Sequence, residues 1–296
     1  MDIKGFAVER IDELGVTCSS PLSFMYRLSP FVWRDGERYE ILLRAVNHSP
    51  YPAEKIARVY YGHSDDGLSF SMGDHPVIAP GTGPDDKDGC EDPSVVLASG
   101  QTYVFYTGWN ETAQRGQLLL AVGRDIEHLE KRGIALASSE RHANPKEATV
   151  VAANDGSFRL FFEYAWEGAS RIGMASAPTP DGPWAVQPTL FEARPGGWDG
   201  WHLSTGPILL TDPMHPVMFY NGATADAKWR VGWIAFDEYY TRVIARGDDP
   251  VIVPSPVVSD DTDIAFAASA VEAGDSIFLY YSIADRDICR AVLHRA

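Results

Sequence analysis

Glu91 and Asp92 stand side by side in residues 88–96, DGCEDPSVV, ahead of a proline and a short apolar run. Strands are poor in Asp and Pro, so a charged pair at this place asks for a use. Burial and a neighbouring carboxylate both push a carboxyl pKa up, and a proton donor working near neutral pH needs that shift. By itself Asp-Pro is more often an ordinary turn at the start of a strand. Pro93 biases the residue before it toward extended backbone, so Asp92 is expected to be extended. Five other polar residues share a distinctive place: Arg44, Thr107, Glu163, Asn221 and Ser282 each follow a pair of large apolar or aromatic residues. Strand side chains alternate between faces, so the five should fall at similar points in similar units, either around a polar centre or on solvent-facing rims. Arg44 and Glu163 favour the centre, because a charge inside an apolar run needs a partner or a use.

The elements that would carry these residues form a repeat. RYEILLRAV, TYVFYTGWN, FRLFFEYAW, PVMFYNGAT and SIFLYYSIA read as equivalent strands, with Leu43, Tyr106, Phe162, Tyr220 and Tyr281 at matching positions. Their spacing is roughly 60 residues, in the range of propeller repeats. A second strand follows each: ARVYYGHS, GQLLLAVG, SRIGMASA, WRVGWIAF and ICRAVLHR. Short runs of this kind, bounded by Gly, Pro, Asp and Ser, predict strands and hairpins. GRDIEHLEKRG is the best helical candidate, and it is short. Five such units arranged radially make an all-β five-bladed propeller, occupying residues 1–296 as one domain.

The net charge of −16 excludes the basic footprint that nucleic acid demands and disfavours anionic membrane surfaces. No run approaches the ~18 apolar residues of a membrane span, and residues 1–15 lack the apolar core of a secretory signal. Three cysteines, without metal-ligand spacing, argue against a disulfide scaffold; a reduced, cytoplasmic setting is expected. No cofactor and no metal site are indicated. The acidic loop PDDKDGCED offers oxygens to Ca²⁺ but lacks EF-hand spacing, and an ordinary loop is expected. A homo-oligomer is compatible with the sequence. Eight Trp, 13 Tyr and 13 Phe serve core packing first, with some free to stack on sugar rings.

GCEDPSVV resembles the E-D-P signature of glycoside hydrolase family 130, the β-mannoside phosphorylases and mannosidases. YEILLRAV, ARVYYGHSDDGLSF, NPKEATVV, STGPILL and FAASAVEAGDSIFLYYSIADRDI resemble other stretches of that family in the same order, across almost the full chain. The resemblance implies a five-bladed propeller, an oligosaccharide substrate and Asp92 as the acid that protonates the glycosidic oxygen.

The chain also departs from the family pattern. Glu163 stands where members usually carry an arginine, Asn221 where they carry a histidine, and Ser94 where E-D-P-R has its arginine. Three basic side chains are thus absent from places a phosphate would want them. Lys146, Arg171 and Arg230 remain, but a carboxylate within 4–6 Å would repel a phosphate dianion by several kcal/mol at an effective dielectric near ~20. The expectation is therefore an inverting hydrolase, with Asp92 as acid and Glu163 activating water, their carboxyls roughly 6.5–9.5 Å apart. Glu147 is a rival base, and an ion pair of Glu163 with Arg44 or Arg171 is the plainer alternative. Further pocket candidates are Arg44, Arg58, Glu91, Trp109, Lys146, Glu147, Arg171, His202, Asn221 and Asp285. Trp109 and Trp166 are candidate stacking platforms, and Trp198, Trp201 and His202 are rim candidates. A phosphorylase, a non-catalytic sugar-binding propeller and a protein-interaction propeller are the alternatives.

Overall fold

The apolar pair in each repeat explains the architecture. Successive residues of a strand face opposite ways, so two large side chains in a row serve two different cores. The first members, Leu42, Phe105, Phe161, Phe219 and Tyr280, pack into the seam with one neighbouring sheet. The second members, Leu43, Tyr106, Phe162, Tyr220 and Tyr281, pack into the seam on the other side. All ten are essentially inaccessible. Five sheets and five apolar seams close a ring, and full burial of side chains this size is worth about 1.5–3 kcal/mol each.

The computed structural model describes residues 5–19, 21–254 and 263–296. The ring is the expected five-bladed β-propeller. Blade one contains Met25–Asp35, Arg38–Asn47, Ala57–Ser64 and Ser69–Ile78, with the short strand Gly15–Thr17 parallel to the last. Blade two contains Gly89–Ala98, Gln101–Asn110, Arg115–Gly123 and Leu129–Leu136; blade three contains Ala143–Ala152, Phe158–Trp166, Ala169–Ala177 and Ala185–Gln187. Blade four has an innermost strand in two pieces, His202–Ser204 and Ile208–Leu209, followed by Val217–Ala223, Trp229–Phe236 and Val243–Arg246. The break falls at Gly206, where a β-carbon would come within 1.9 Å of the Phe219 carbonyl oxygen. Blade five combines Ala265–Ala273, Ser276–Ile283 and Asp287–Arg295 with Phe6–Glu13 from the other end of the chain. That closure was not anticipated from the repeat.

The helix expected in GRDIEHLEKRG is absent. Ile126–His128 makes a single 3₁₀ turn capped by Asp125, and Leu129–Leu136 is the outer strand of blade two. Pairing with Arg115–Gly123 satisfies that backbone as a ladder, which overrides the local helical preference. Among the described residues, no helix is long and apolar enough to cross a membrane.

Side chains near the axis tie blades together where no strand ladder runs between them. The Ser282 hydroxyl accepts from the Ser29 N–H at 2.9 Å, joining blades five and one. Asn221 joins blades four and five: its amide donates to the carbonyls of Thr205 (2.5 Å) and Ala267 (3.1 Å) and accepts from the Ala267 N–H at 2.7 Å. Fully buried and occupied at both ends, Asn221 serves as a clamp, which corrects its expected place in a sugar pocket. Asn221→Ala should therefore lower the unfolding free energy by about 2–4 kcal/mol, because it strands buried backbone groups. Urea denaturation reads this directly, and a loss below about 0.5 kcal/mol would remove the clamp.

Candidate active site

The innermost strands of blades one, two and three all carry an irregularity at the same point. Register shifts fall between Leu28 and Phe31, between Glu91 and Ser94, and between Lys146 and Thr149. Each shift contains a non-glycine residue in the left-handed region: Ser29 (φ +47°), Asp92 (φ +47°) and Glu147 (φ +51°). Asp92 is thus not extended as its proline neighbour suggested. A bulge leaves its residue out of the ladder and re-aims the side chain. The conformation costs of order 1–3 kcal/mol and persists where the surroundings enforce it. Ser29 was missed in the sequence, although Ser29-Pro30 stands in blade one where Asp92-Pro93 stands in blade two.

These bulges bring a charged cluster together. Asp92, only 4% exposed, accepts on Oδ1 from the Ser29 hydroxyl and from Arg44 Nη1, each at 2.8 Å. Among the described residues, its Oδ2 has no hydrogen-bond partner. Arg44 also reaches Glu91 Oε2 at 3.0 Å. Across the cavity, Glu163 Oε1 accepts from the Ser170 hydroxyl at 2.7 Å and pairs with Lys146 Nζ at 3.3 Å. Oε2 is left unpartnered among the described residues. Lys146 thus fills the place expected for Arg44 or Arg171 as the partner of Glu163. Arg44, Glu91, Thr107, Trp109, Lys146 and Glu163 line a cavity of about 520 Å³.

The proton distribution differs from expectation. Burial pushes the Asp92 carboxyl up, but the charges of Arg44 and Lys146 and the hydrogen bonds from Ser29 and Arg44 outweigh it. Asp92 is held below its ordinary range. Glu147 is pushed well above its range by burial, then by the charges of Asp92 and Glu163, with Lys146 and Arg44 offsetting only part. Glu163 in turn raises Lys146, so that ammonium stays charged. Glu91 is likewise raised, chiefly by burial, so within the cluster Asp92 is the carboxyl held low.

The remaining candidates are distributed around this centre. His202 accepts on Nδ1 from the Ser170 N–H at 3.0 Å, beside Trp229, and burial lowers its pKa. Arg171 donates to the carbonyls of Trp201 (2.6 Å) and Ser170 (3.0 Å). Arg230 is closed off as a phosphate ligand by its two-point pairing with Asp263. Arg58 sits one residue from Val59, the ladder partner of Arg44. Strand alternation turns it away into a separate hollow with Asn47, Tyr60 and His75, which corrects its expected place beside Arg44. Asp285 stands exposed in a tight turn, close enough to sense the charges of Arg44 and Asp92. Trp198 is a packing residue: it stacks on Tyr220 at 5.6 Å, next to wholly buried Asp199, which takes Arg194, Arg246 and the Tyr220 hydroxyl. The acidic loop is likewise internally satisfied, with Asp86 accepting from Tyr106, Lys131 and the Gly81 N–H.

A five-bladed propeller in which Arg44, Glu91, Lys146 and Glu163 converge on a cavity beside Trp109 at blades one to three, with Asp92 buried behind Arg44 and outside the lining, defines a carbohydrate-active enzyme. Residues 37–294 match the family described as beta-1,4-mannooligosaccharide phosphorylase. A 1,2-beta-oligomannan phosphorylase of Thermoanaerobacter sp. (strain X514) is 25% identical over 268 residues, covering 88% of this chain and 86% of the relative. A β-1,2-mannobiose phosphorylase from Listeria innocua, solved with β-1,2-mannobiose, superposes with a TM-score of 0.77 at 18% identity, covering 97% of this chain and 91% of that one. Another structure superposes with a TM-score of 0.79 at 21% identity, covering 98% and 94%. It is reported under the statement that the GH130 family of mannoside phosphorylases contains glycoside hydrolases that target β-1,2 mannosidic linkages in Candida mannan. The structural likenesses show the fold. The chain belongs to glycoside hydrolase family 130.

The raised Glu147 carboxyl carries a sign that stability can test. A carboxyl that binds its proton more tightly when folded stabilises the fold at low pH, and this contribution is lost as pH rises through the folded value. Glu147→Gln should thus raise the melting temperature by a few degrees at neutral pH. The gain should vanish below the ordinary carboxylate range, where the parent is protonated in both states. An equal gain at every pH would show that this carboxyl is not the one holding the proton.

Proposed function

We propose that this chain cleaves β-mannosidic linkages in the cavity at blades one to three, with inorganic phosphate taking the mannosyl group. The family match over residues 37–294 carries this reading, and the relatives' names as phosphorylases support it. In the reaction the bond from the anomeric carbon to the leaving oxygen breaks and a phosphate oxygen attaches to that carbon. The leaving oxygen takes a proton, giving mannose 1-phosphate and a shortened sugar. Asp92 Oδ2, the oxygen free of protein donors, delivers the proton, and the hydrogen carried by the attacking phosphate replaces it. Arg44 holds Asp92 in place through Oδ1, Trp109 offers a ring face to the sugar, and Lys146 supplies positive charge beside the acceptor.

Hydrolysis, the reading anticipated from the sequence, ranks second and rests on one observation. The carboxylate of Glu163 occupies the cavity wall with a free Oε2, where it would repel a phosphate dianion but suit a water molecule. A cytoplasmic setting belongs to the same proposal, supported by three free cysteines.

β-1,2- and β-1,4-linked mannobiose, each incubated with and without inorganic phosphate, separate these readings. Release of mannose 1-phosphate that depends on phosphate is the expected result. Free mannose released equally in both arms would favour water, and no cleavage in either would remove the mannoside assignment. Asp92→Asn should lower kcat by about 10²–10⁴-fold, the usual contribution of positioned proton transfer. Full activity in that variant would dismiss Asp92 as the acid.

A further inference from the structure

The hairpin between the second and third strands of blade three places Ser170 where two functional groups meet. Its hydroxyl donates to Glu163 Oε1 at 2.7 Å, and its own N–H donates to His202 Nδ1, on blade four, at 3.0 Å. An imidazole nitrogen that accepts from a backbone N–H carries no proton, so His202 is the tautomer protonated on Nε2. Ser170 follows Ala169 and is the ladder partner of Ala165. Arg171 closes the same seam by donating to the Trp201 carbonyl at 2.6 Å.

The consequence for Glu163 is directional. Lys146 also approaches Oε1, at 3.3 Å, so both protein partners converge on one oxygen. A carboxylate with one oxygen fixed by two donors has its other oxygen aimed. Here that is Oε2, and Glu163, Ser170 and Lys146 all line the same cavity. A lysine alone would place Glu163 loosely, because its ammonium is a point charge on a flexible stem. A short hydroxyl bond from a β-sheet residue fixes the angle as well.

We propose that Ser170 is a positioning residue: it fixes Glu163 so that Oε2 faces the acceptor oxygen, while its N–H holds the His202 ring of blade four. The inference rests on the functional reading above in that the acceptor, a water or a phosphate oxygen bearing hydrogen, meets Glu163.

Ser170→Ala removes the hydroxyl and keeps the N–H. With the mannobiose cleaved by the parent, it should lower kcat about tenfold, the scale of one hydrogen bond to a charged group, with KM changed less than twofold. Ser170→Thr should recover most of the loss. In Ser170→Ala at fixed pH, the Glu163 carboxyl ¹³C signal should move while the His202 ring ¹⁵N signals stay, reporting that the seam is still docked. Parent-like kcat, a loss that Thr fails to recover, or an unmoved Glu163 signal would each overturn the proposal. If the parent cleaves no mannoside, the functional reading falls instead, and the two NMR signals still decide whether Ser170 orients Glu163.

Discussion

An ionised carboxylate that is 4% exposed persists in a protein only with a partner fixed against it. For Asp92 that partner is Arg44, from the neighbouring blade, with Ser29 completing the oxygen's coordination. The pair sets three things at once. It holds Asp92 in a left-handed bulge that a ladder residue would not adopt, and it ties blade one to blade two near the axis. It also holds the Asp92 carboxyl below its ordinary range, while burial pushes Glu147 well above its own.

The packing explains how such a site survives on a small frame. Each second strand spends its two largest side chains on two different seams, and the next residue is then free to face the axis. Arg44, Thr107, Glu163, Asn221 and Ser282 occupy this shared position, and their duties have separated. Asn221 and Ser282 hold blades together, whereas Arg44 and Glu163 face the cavity. Stability and chemistry thus draw on one repeat without competing for the same side chains.

The balance of charge around the cavity bears on the acceptor. Lys146 is neutralised by Glu163, Arg44 by Asp92 and Glu91, and Arg230 by Asp263. A phosphate would therefore meet one lining cation without a carboxylate partner among the described residues, Lys55, while the others are already paired. Family membership and the relatives' names favour phosphorolysis, against the pairing of most of these cations.

Local pattern decided much of this. The alternation of apolar pairs every roughly 60 residues determined the propeller, its five blades and the equivalence of the polar positions, because burial periodicity is written residue by residue. The Glu-Asp-Pro signature likewise marked Asp92. The sequence could not decide which way the polar residues were used. Ser29 and Ser170, remote from Asp92 in the chain or absent from any motif, became partners only through contacts between strands. Arg58 was lost from the site by one step of strand alternation, and Asn221 by a clamp that reaches into the next blade. Closure by Phe6–Glu13 joins the two ends of the chain. The acidity of Asp92 was misjudged for the same reason: a pKa depends on where distant charges come to rest, and only the folded ring places Arg44 against that carboxyl.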